Sequence, residues 1–450
     1  MASLSEKIAS NVNFGAFAKA EDLQKRLWFT LLMLIVCRLG TFVPLPGIDA
    51  TILSDIFEQN SGGILGMFDM FAGGALSRMT IFALNIMPYI SASIIVQLGT
   101  SILPSLMALR KEGESGHRKI NQYTRYLTVF IAILQGYAIA ASLMAMTTSS
   151  GASAVVNPGP MFIFTTVVSL VGGTLFVVWI GEQITARGVG NGSSLIITLG
   201  IVAGIAPAIA KTLKLARVGE ISGMKVLVLT AIILAVIYIV VLVERAQRRI
   251  IIQYPRRAGV GMGMLSSDST HLPLKINPTG VIPPIFASSI LLLPITIVNL
   301  VFKAGSSPNW LSAVATALSR GSWFYMGLYA ALIVFFTFFY TAIVFNPEET
   351  ADNLKKHGGF VAGIRPGQAT ADYLDYVLTR LSVLGAFYLV SLCILPEILA
   401  SQMSLPFFFG GTSVMIVVSV AMEFMNQIQS YLLAHQYESL LKKASKRRGK

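Results

Sequence analysis

The stretch MKVLVLTAIILAVIYIVVLV, residues 224–243, carries a single charge, Lys225, near its edge. A helix of about twenty residues is roughly 30 Å long, which matches the hydrocarbon thickness of a bilayer. Such a helix is stable in lipid because its backbone polar groups are bonded within the segment. The stretch therefore predicts a transmembrane helix.

Further apolar runs of similar length lie between charged or Gly/Pro-rich connections. They fall near residues 27–44, 79–103, 123–146, 161–181, 193–210, 279–302, 323–346, 374–395 and 412–433. Of the 450 residues, 54% are hydrophobic and 12% charged, whereas soluble domains carry about a quarter charged residues. The sequence predicts an all-α polytopic membrane protein with ten transmembrane helices.

Basic residues are concentrated in connections that fall on one side of this arrangement. With ten spans both termini share a side, which also holds the basic tail at 442–450 and the connections near 244–275 and 347–372. Because Lys and Arg are retained in cytoplasmic loops, both termini are expected in the cytoplasm. The connection near 211–225 departs from this rule, since it carries four basic residues.

Ten spans divide into two sets of five. An odd number of spans in each set means that a duplicated half would be inverted in the membrane, with a pore or binding site between the halves. The expected boundary gives an N-terminal half at 1–215 and a C-terminal half at 216–450.

Groups suited to catalysis within a membrane are scarce. The four histidines, His117, His271, His357 and His435, fall in predicted cytoplasmic connections or the tail, and the spans hold few ionisable residues. The chain has no phosphate-binding loop of the Walker type. An enzyme is not expected, nor is any cofactor or metal, and a partner would have to hydrolyse any ATP that drives transport.

Short motifs distributed along the chain resemble one known family. They are PLPGID (44–49), MFAGGALSR (70–78), IMPYISASI (86–94), KEGESG (111–116), GEQIT (181–185), STHLPLK (269–275), FNPEETADNL (345–354) and GIRPG (363–367). Their order along ten spans resembles the SecY/Sec61 alpha family of protein-conducting channels, over about residues 20 to 445. The resemblance implies two inverted five-helix halves around a central hourglass pore in the bacterial inner (plasma) membrane.

The same resemblance implies the substrates and partners. Unfolded secretory polypeptides would cross the membrane, and hydrophobic segments would leave through a lateral gate into the bilayer. The expected partners are the subunits SecE and SecG, the SecA motor ATPase, the ribosome, signal sequences and nascent polypeptides, and membrane lipids, with SecDF and YidC as accessory candidates.

A plug near 62–77 is implied as a short half-helix that fills the outer funnel. The segment is too short to span, and its glycines weaken a helix by about 1 kcal/mol each, which suits a mobile element. The plug residues named by the resemblance are Met67, Phe68, Met70, Phe71, Gly73 and Gly74. From the residues alone the alternative is an ordinary outer loop.

A ring of apolar side chains is implied at the narrowest point of the pore. The matching positions are Ile86, Ile90, Ser193, Ile197, Ile285 and Ile416. Such a ring resists ions by dewetting and yields to a polypeptide that replaces the water. Ser193 departs from the aliphatic pattern, and the alternative for each isoleucine is ordinary packing or lipid contact.

A lateral gate is implied between the second and seventh spans. Its candidate residues are Ser91, Ser93, Gln97, Ser288, Ser289 and Leu293. A gate open to lipid sorts segments, because Leu or Ile at mid-bilayer gains ~0.5 kcal/mol whereas Asp, Lys or Arg costs ~3 kcal/mol. The alternative for the polar residues is helix association of the kind found in any membrane bundle.

The connections at 244–275 and 347–372 resemble those that dock the motor or the ribosome. Arg256, Arg257 and Arg365 are the foremost candidates for meeting acidic protein or RNA surfaces. The alternative is that these residues only retain their loops in the cytoplasm.

The rival class is a secondary transporter for a small solute, because inverted repeats and broken helices serve such folds as well. A transporter is expected to keep ionisable groups at the membrane midplane. This chain places aliphatic residues there and large basic connections outside. The sequence therefore favours the channel.

Overall fold

A computed structural model describes residues 20–49, 72–145, 155–219, 223–254, 269–301, 322–403 and 411–448. The N-terminal helices are α1 (Glu21–Gly40), α2 (Met87–Ile102), α3 (Pro104–Lys111), α4 (Glu114–Ala145), α5 (Pro160–Arg187) and α6 (Gly192–Val218). They are followed by α7 (Gly223–Arg245), α8 (Ile282–Val301), α9 (Trp323–Val344), α10 (Pro347–Lys356), α11 (Gln368–Met403) and α12 (Gly411–Arg448). Each of the ten predicted spans coincides with one of these helices, which confirms the all-α class.

Length and hydropathy separate these helices further. Within the described ranges seven are long and apolar enough to cross a membrane, or eight if α2 and α3 form one broken span. The other two predicted spans lie on α1, which carries charged residues near both ends, and on α8, whose 20 residues Ile282–Val301 include no charged residue. The ten predicted spans therefore comprise the seven or eight helices that meet the length and hydropathy test and the two helices α1 and α8.

The helices α2 and α3 meet at an angle of 98°. Leu103 is extended between them, with φ −89° and ψ 119°, and Pro104 begins α3. Proline lacks an N–H to continue a helix and disfavours the α conformation in the residue before it. The sequence Leu103–Pro104 therefore ends α2 and redirects the chain.

A small antiparallel sheet occupies part of the region that the sequence describes only as connecting loops. Its strands are β1 (Gln247–Gln253), β2 (Ser269–Lys275) and β3 (Phe360–Val361), in the order β2-β1-β3. The hairpin register pairs Gln247 with Lys275 and Gln253 with Ser269. Ile250 of β1, Leu274 of β2 and Val361 of β3 pack in one apolar cluster with the first turns of α11, so the sheet is fixed to that helix.

Two glycines at helix starts allow neighbouring helices to approach closely. A Cβ on Gly192, the first residue of α6, would lie 1.9 Å from the carbonyl oxygen of Gly181 in α5. A Cβ on Gly411, the first residue of α12, would lie 1.9 Å from the carbonyl oxygen of Leu392 in α11. Real Cβ atoms do not approach that closely, so α6 and α12 each need glycine at this position to pack against the helix before it.

Candidate functional site

One apolar cluster joins the helices on which the predicted ring lies. Ile86, Ile197 and Ile416 are buried in it, with exposed fractions of 1%, 8% and 2%, and the half-buried Ile90 and Ile285 pack against it. These five isoleucines come from α2 and its N-cap, α6, α8 and α12. We call this group the waist cluster. The structure thus brings together five of the six residues predicted for the ring.

The sixth predicted residue, Ser193, is used differently. Asn191 precedes α6, and its Oδ1 accepts hydrogen bonds from the backbone N–H of Ser193 at 3.1 Å and from the Ser193 hydroxyl at 2.7 Å. An asparagine at this position satisfies a backbone N–H that the first turn of a helix leaves free. Ser193 lies one turn before Ile197 and helps to fix the start of α6.

The predicted gate residues lie on α2 and α8, and their recorded hydrogen bonds stay within each helix. Gln97 donates from Nε2 to Ser93 Oγ at 3.3 Å, and Ser288 donates from Oγ to the carbonyl oxygen of Ile285 at 2.9 Å. Gln97 Oε1 and Ser289 Oγ are buried and have no hydrogen-bond partner among the described residues. Ser91 is half-buried on α2, and Leu293 lies on α8, where only its backbone is described.

Apolar contact and one exposed hydrogen bond join the two sides of this gate. Ile94 of α2 packs in a cluster with Phe286 and Leu291 of α8. Arg110 of α3 donates from Nη2 to the carbonyl oxygen of Ile343, at the end of α9, over 3.0 Å. We call the contacts of α2 and α3 with α8 and α9 the gate seam.

A second seam joins α12 to the N-terminal part of the chain. The backbone N–H of Gly190, in the α5–α6 connection, donates to Gln427 Oε1 of α12 at 2.7 Å. Within the N-terminal part, the N–H of the neighbouring Val189 donates to Thr30 Oγ1 of α1 at 3.1 Å. Buried Leu23, Val189 and Leu432 pack together beside these bonds. Arg26 lies 5.4 Å from the centre of the Tyr431 ring. We call these contacts the α12 seam; the sequence analysis missed them.

Of the predicted plug residues, Gly73 and Gly74 are described, whereas Met67, Phe68, Met70 and Phe71 lie outside the described ranges. Both glycines have positive φ, +67° and +80°, a conformation open to glycine at little cost. The Gly73 carbonyl accepts a 2.8 Å hydrogen bond from Arg38 Nη1 of α1. A Cβ on Gly73 would also lie 3.0 Å from the Gly200 Cα of α6. Arg38 is a contact of this segment that sequence analysis did not assign.

Among the predicted docking residues, Arg256 and Arg257 lie outside the described ranges. Arg365 is exposed in the turn between β3 and α11, where Gly363 and Gly367 have φ of +84° and +109°. The carbonyl oxygen of Arg365 accepts a 2.9 Å hydrogen bond from the Thr370 hydroxyl. The turn therefore has a fixed backbone and presents a guanidinium at its surface.

Some basic residues are paired with carboxylates and others are not. In the N-terminal part Arg125 forms a bidentate pair with Glu182 of α5, with both N···O distances 2.8 Å, and Arg118 and Lys119 also contact carboxylates. In the C-terminal part, Arg248, Arg249 and Arg365 are exposed and have no carboxylate partner within the described part of the chain. Arg248, Arg249 and Arg365 thus keep their positive charge exposed among the described residues.

The described residues contain no group of three or more side chains suited to holding a metal ion. Cys37 and Cys393 are free, buried, and belong to different apolar clusters. The described residues therefore combine an apolar cluster of isoleucines, gate helices with two buried polar atoms that lack a partner there, and an exposed basic surface without carboxylate partners there. Together with the helical fold, these features define a polytopic membrane protein of the channel class.

Comparison with known proteins specifies the class. A family model described as SecY matches residues 80–425. The chain is 54% identical over 424 residues to the protein translocase subunit SecY of Escherichia coli K12, and the match covers 94% of this chain and 95% of that protein. It is 53% identical over 426 residues to the protein translocase subunit SecY of Vibrio cholerae, and that match also covers 94% of this chain and 95% of the relative. The chain belongs to the SecY family.

Solved structures agree in fold. A structure described as that of a protein conducting channel superposes with a TM-score of 0.63 at 16% identity, over 91% of this chain and 92% of that one. Sec61 in the canine ribosome-channel complex superposes with a TM-score of 0.61 at 15% identity, over the same shares. The likeness confirms the SecY/Sec61 fold expected from the motifs.

Proposed function

We propose that this chain is the pore-forming subunit of a protein translocase, which passes unfolded secretory polypeptides across a membrane and releases hydrophobic segments into the bilayer. The observation that carries the proposal is the waist cluster, in which isoleucines of four separate elements meet in a helical membrane protein. The relatives' identity as translocase subunits supports it. No catalytic step is needed, because an apolar constriction opens when a chain displaces its packing.

Within this function Ile86, Ile90, Ile197, Ile285 and Ile416 form the ring, and Ser193 fixes the start of α6 beneath it. The gate seam is the lateral exit. Residues 62–77 are the plug, with Gly73 and Gly74 as its stem held by Arg38. The two halves at 1–215 and 216–450 form the two sides of the pore.

The proposed setting is the bacterial inner membrane, with both termini in the cytoplasm. SecE and SecG would complete the translocase, and SecA or the ribosome would drive it. One structural neighbour is a Sec61 channel in a complex with the ribosome, which supports a ribosome as one docking partner. The exposed Arg248, Arg249 and Arg365 lie on the surface that such a partner would meet.

The function is tested by ATP-driven import of a secretory precursor into vesicles that contain the purified chain with SecE, SecG and added SecA. We expect protease-protected precursor only when all components and ATP are present. Vesicles that lack the chain are the control. Uptake of a small solute without any polypeptide, together with no import, would instead indicate a transporter.

The docking assignment is tested by Arg365→Glu. The exposed side chain contributes little to the fold, so the free energy of unfolding should change by less than ~0.5 kcal/mol. At a docking surface the reversal replaces attraction by repulsion and should weaken SecA or ribosome binding by ~2 kcal/mol or more. Arg118→Glu is the matched control, because Arg118 already contacts Glu114. Wild-type affinity for both partners would remove Arg365 from the docking site.

A further inference from the structure

The connection between the β1–β2 hairpin and α8 is short and largely buried. It covers residues 276–281, and its side chains Asn277 and Thr279 have exposed fractions of 3% and 2%. The hairpin carries part of the basic surface described above, and α8 carries Ile285 of the waist cluster and Ser289 of the gate seam. The connection thus links the basic hairpin directly to the helix that carries these residues.

Asn277 bonds in three directions. Its Nδ2 donates to Glu244 Oε1, at the end of α7, over 2.9 Å and to the carbonyl oxygen of Gly280 over 3.1 Å. Its Oδ1 accepts from the Thr279 hydroxyl over 2.9 Å. Gly280 has a φ of +61°, so the chain turns sharply there. One amide thus binds the end of α7 and the turn that begins α8.

The surrounding backbone is fixed as well. The N–H of Ile276 donates to the carbonyl oxygen of Ala246 at 3.2 Å, which continues the hairpin ladder to its base. A Cβ on Gly385 of α11 would lie 2.9 Å from the Ile276 carbonyl oxygen, so α11 packs directly against the connection. The hairpin, the end of α7 and the start of α8 are therefore joined without a flexible linker.

We propose that Glu244 and Asn277 are positioning residues that transmit the binding of a protein partner on the hairpin to the gate helix α8. The inference rests on the proposed function and adds a residue-level route for its regulation. The connection that contains Pro278 and Gly280 is neither helix nor strand, so no regular backbone hydrogen bonds hold it. Without the Asn277 bonds, a partner could bind the hairpin and move it while α8 stays in place.

The test compares partner binding with gate opening in the reconstituted channel. Asn277→Ala removes the amide. Glu244→Gln keeps an acceptor for Asn277 Nδ2 and is the matched control. Gate opening is measured as the distance between fluorophores on Ile102 of α2 and Val344 of α9, both exposed on opposite sides of the gate seam. SecA is added as the partner, and its affinity is measured on the same samples.

For Asn277→Ala we expect SecA affinity within about twofold of wild type. The SecA-dependent opening rate and the maximal import rate should both fall about tenfold, because one buried hydrogen bond to a charged group is lost. Glu244→Gln should retain most of the response. A residue that only stabilises the fold would change protein yield and melting temperature but not separate binding from opening.

Exchanging the carboxylate and the amide between Glu244 and Asn277 tests whether the hydrogen bond itself transmits the response. Asn277→Asp places a second carboxylate against Glu244 and should lose the response, whereas E244Q/N277D restores a donor and an acceptor in reversed order and should recover part of it. Normal SecA-dependent opening in Asn277→Ala would overturn the inference and leave the proposed function intact. If wild-type protein shows neither SecA binding nor opening, the docking proposal and the inference fail together.

Discussion

The gate seam and the α12 seam both join the N-terminal and C-terminal parts of the chain, but they are built differently. In the α12 seam, the backbone N–H of Gly190 donates to the Gln427 side chain of α12, and apolar side chains pack beside this bond. In the gate seam, Gln97 Oε1 and Ser289 Oγ are buried without a partner among the described residues. Among the described residues, the α12 seam is joined by a satisfied hydrogen bond, whereas the two gate helices α2 and α8 each carry a buried polar atom without a partner.

This difference has an energetic consequence. A buried polar atom without a hydrogen bond costs about 1–3 kcal/mol, and water or an entering polypeptide relieves that cost when the helices separate. As far as the described residues show, the closed gate helices therefore carry this cost at Gln97 and Ser289, while the α12 seam loses a satisfied bond if it opens. The comparison predicts that α2 separates from α8 while α12 stays attached to α1 and the α5–α6 connection.

The largest effect is expected from fixing one seam covalently. A cross-link between cysteines at Ser91 of α2 and Leu293 of α8 should abolish import, because signal sequences must part these helices. A cross-link of similar length between cysteines at Arg26 and Tyr431, across the α12 seam, should leave import near the wild-type level. Import is measured before and after cleavage of the linker. Equal inhibition by both cross-links would refute the assignment of different roles to the seams.

A smaller effect is expected from breaking a satisfied bond. Gln427→Leu leaves the Gly190 N–H without its acceptor and should lower the free energy of unfolding by ~1–3 kcal/mol. Gln427→Glu keeps an acceptor oxygen and is the control. Thermal unfolding in detergent measures both. An unfolding temperature for Gln427→Leu equal to that of the control would show that the α12 seam does not depend on this bond.

The sequence predicted the spans, and the family resemblance named the ring residues and a gate between the second and seventh spans. The contacts of the α12 seam were not predicted. Run length located all ten helices because the bilayer fixes how many apolar residues a span needs. The family motifs placed five isoleucines that the fold then brought together. The partner of Gly190, by contrast, is Gln427, more than two hundred residues away in the sequence. No motif around Gln427 indicates that it contacts another helix.

The sheet was not predicted, and the two gate serines were predicted without being told apart, for other reasons. Strand β1 alternates buried and exposed residues over only a few positions, within a basic stretch that composition assigns to a loop. Ser288 and Ser289 are adjacent on one helix and look alike in the sequence. Which of them reaches a hydrogen-bond acceptor depends on its side-chain rotamer, which the sequence does not give. Residue type alone predicts that both are polar contacts, and the structure separates them.

That separation predicts opposite effects for the two serines. Ser289→Ala removes a buried hydroxyl with no partner in the described residues and should stabilise the closed gate by ~1 kcal/mol. Ser288→Ala removes a hydroxyl bonded to its own helix and should change gating little. Import of precursors with signal sequences of graded hydrophobicity is the measurement. Weak signals should fail first in Ser289→Ala, and an unchanged hydrophobicity threshold would contradict the prediction.

The smallest effect is expected at Arg110, whose side chain bonds across the gate seam to the carbonyl oxygen of Ile343. The bond is exposed, so water competes for both groups and its loss should favour the open gate by only ~0.5–1 kcal/mol. Arg110→Met retains much of the aliphatic length and removes the donor, and Arg110→Lys keeps a donor as the control. Because few polar bonds join the closed gate seam among the described residues, even this small loss should admit precursors with weak signal sequences about two- to fivefold faster.

Arg118→Met, which removes a charge from a pair within α4, should have no such effect and controls for net charge. Equal import of weak-signal precursors by all three variants and wild type would show that apolar packing alone, between Ile94 and Phe286, holds the gate closed.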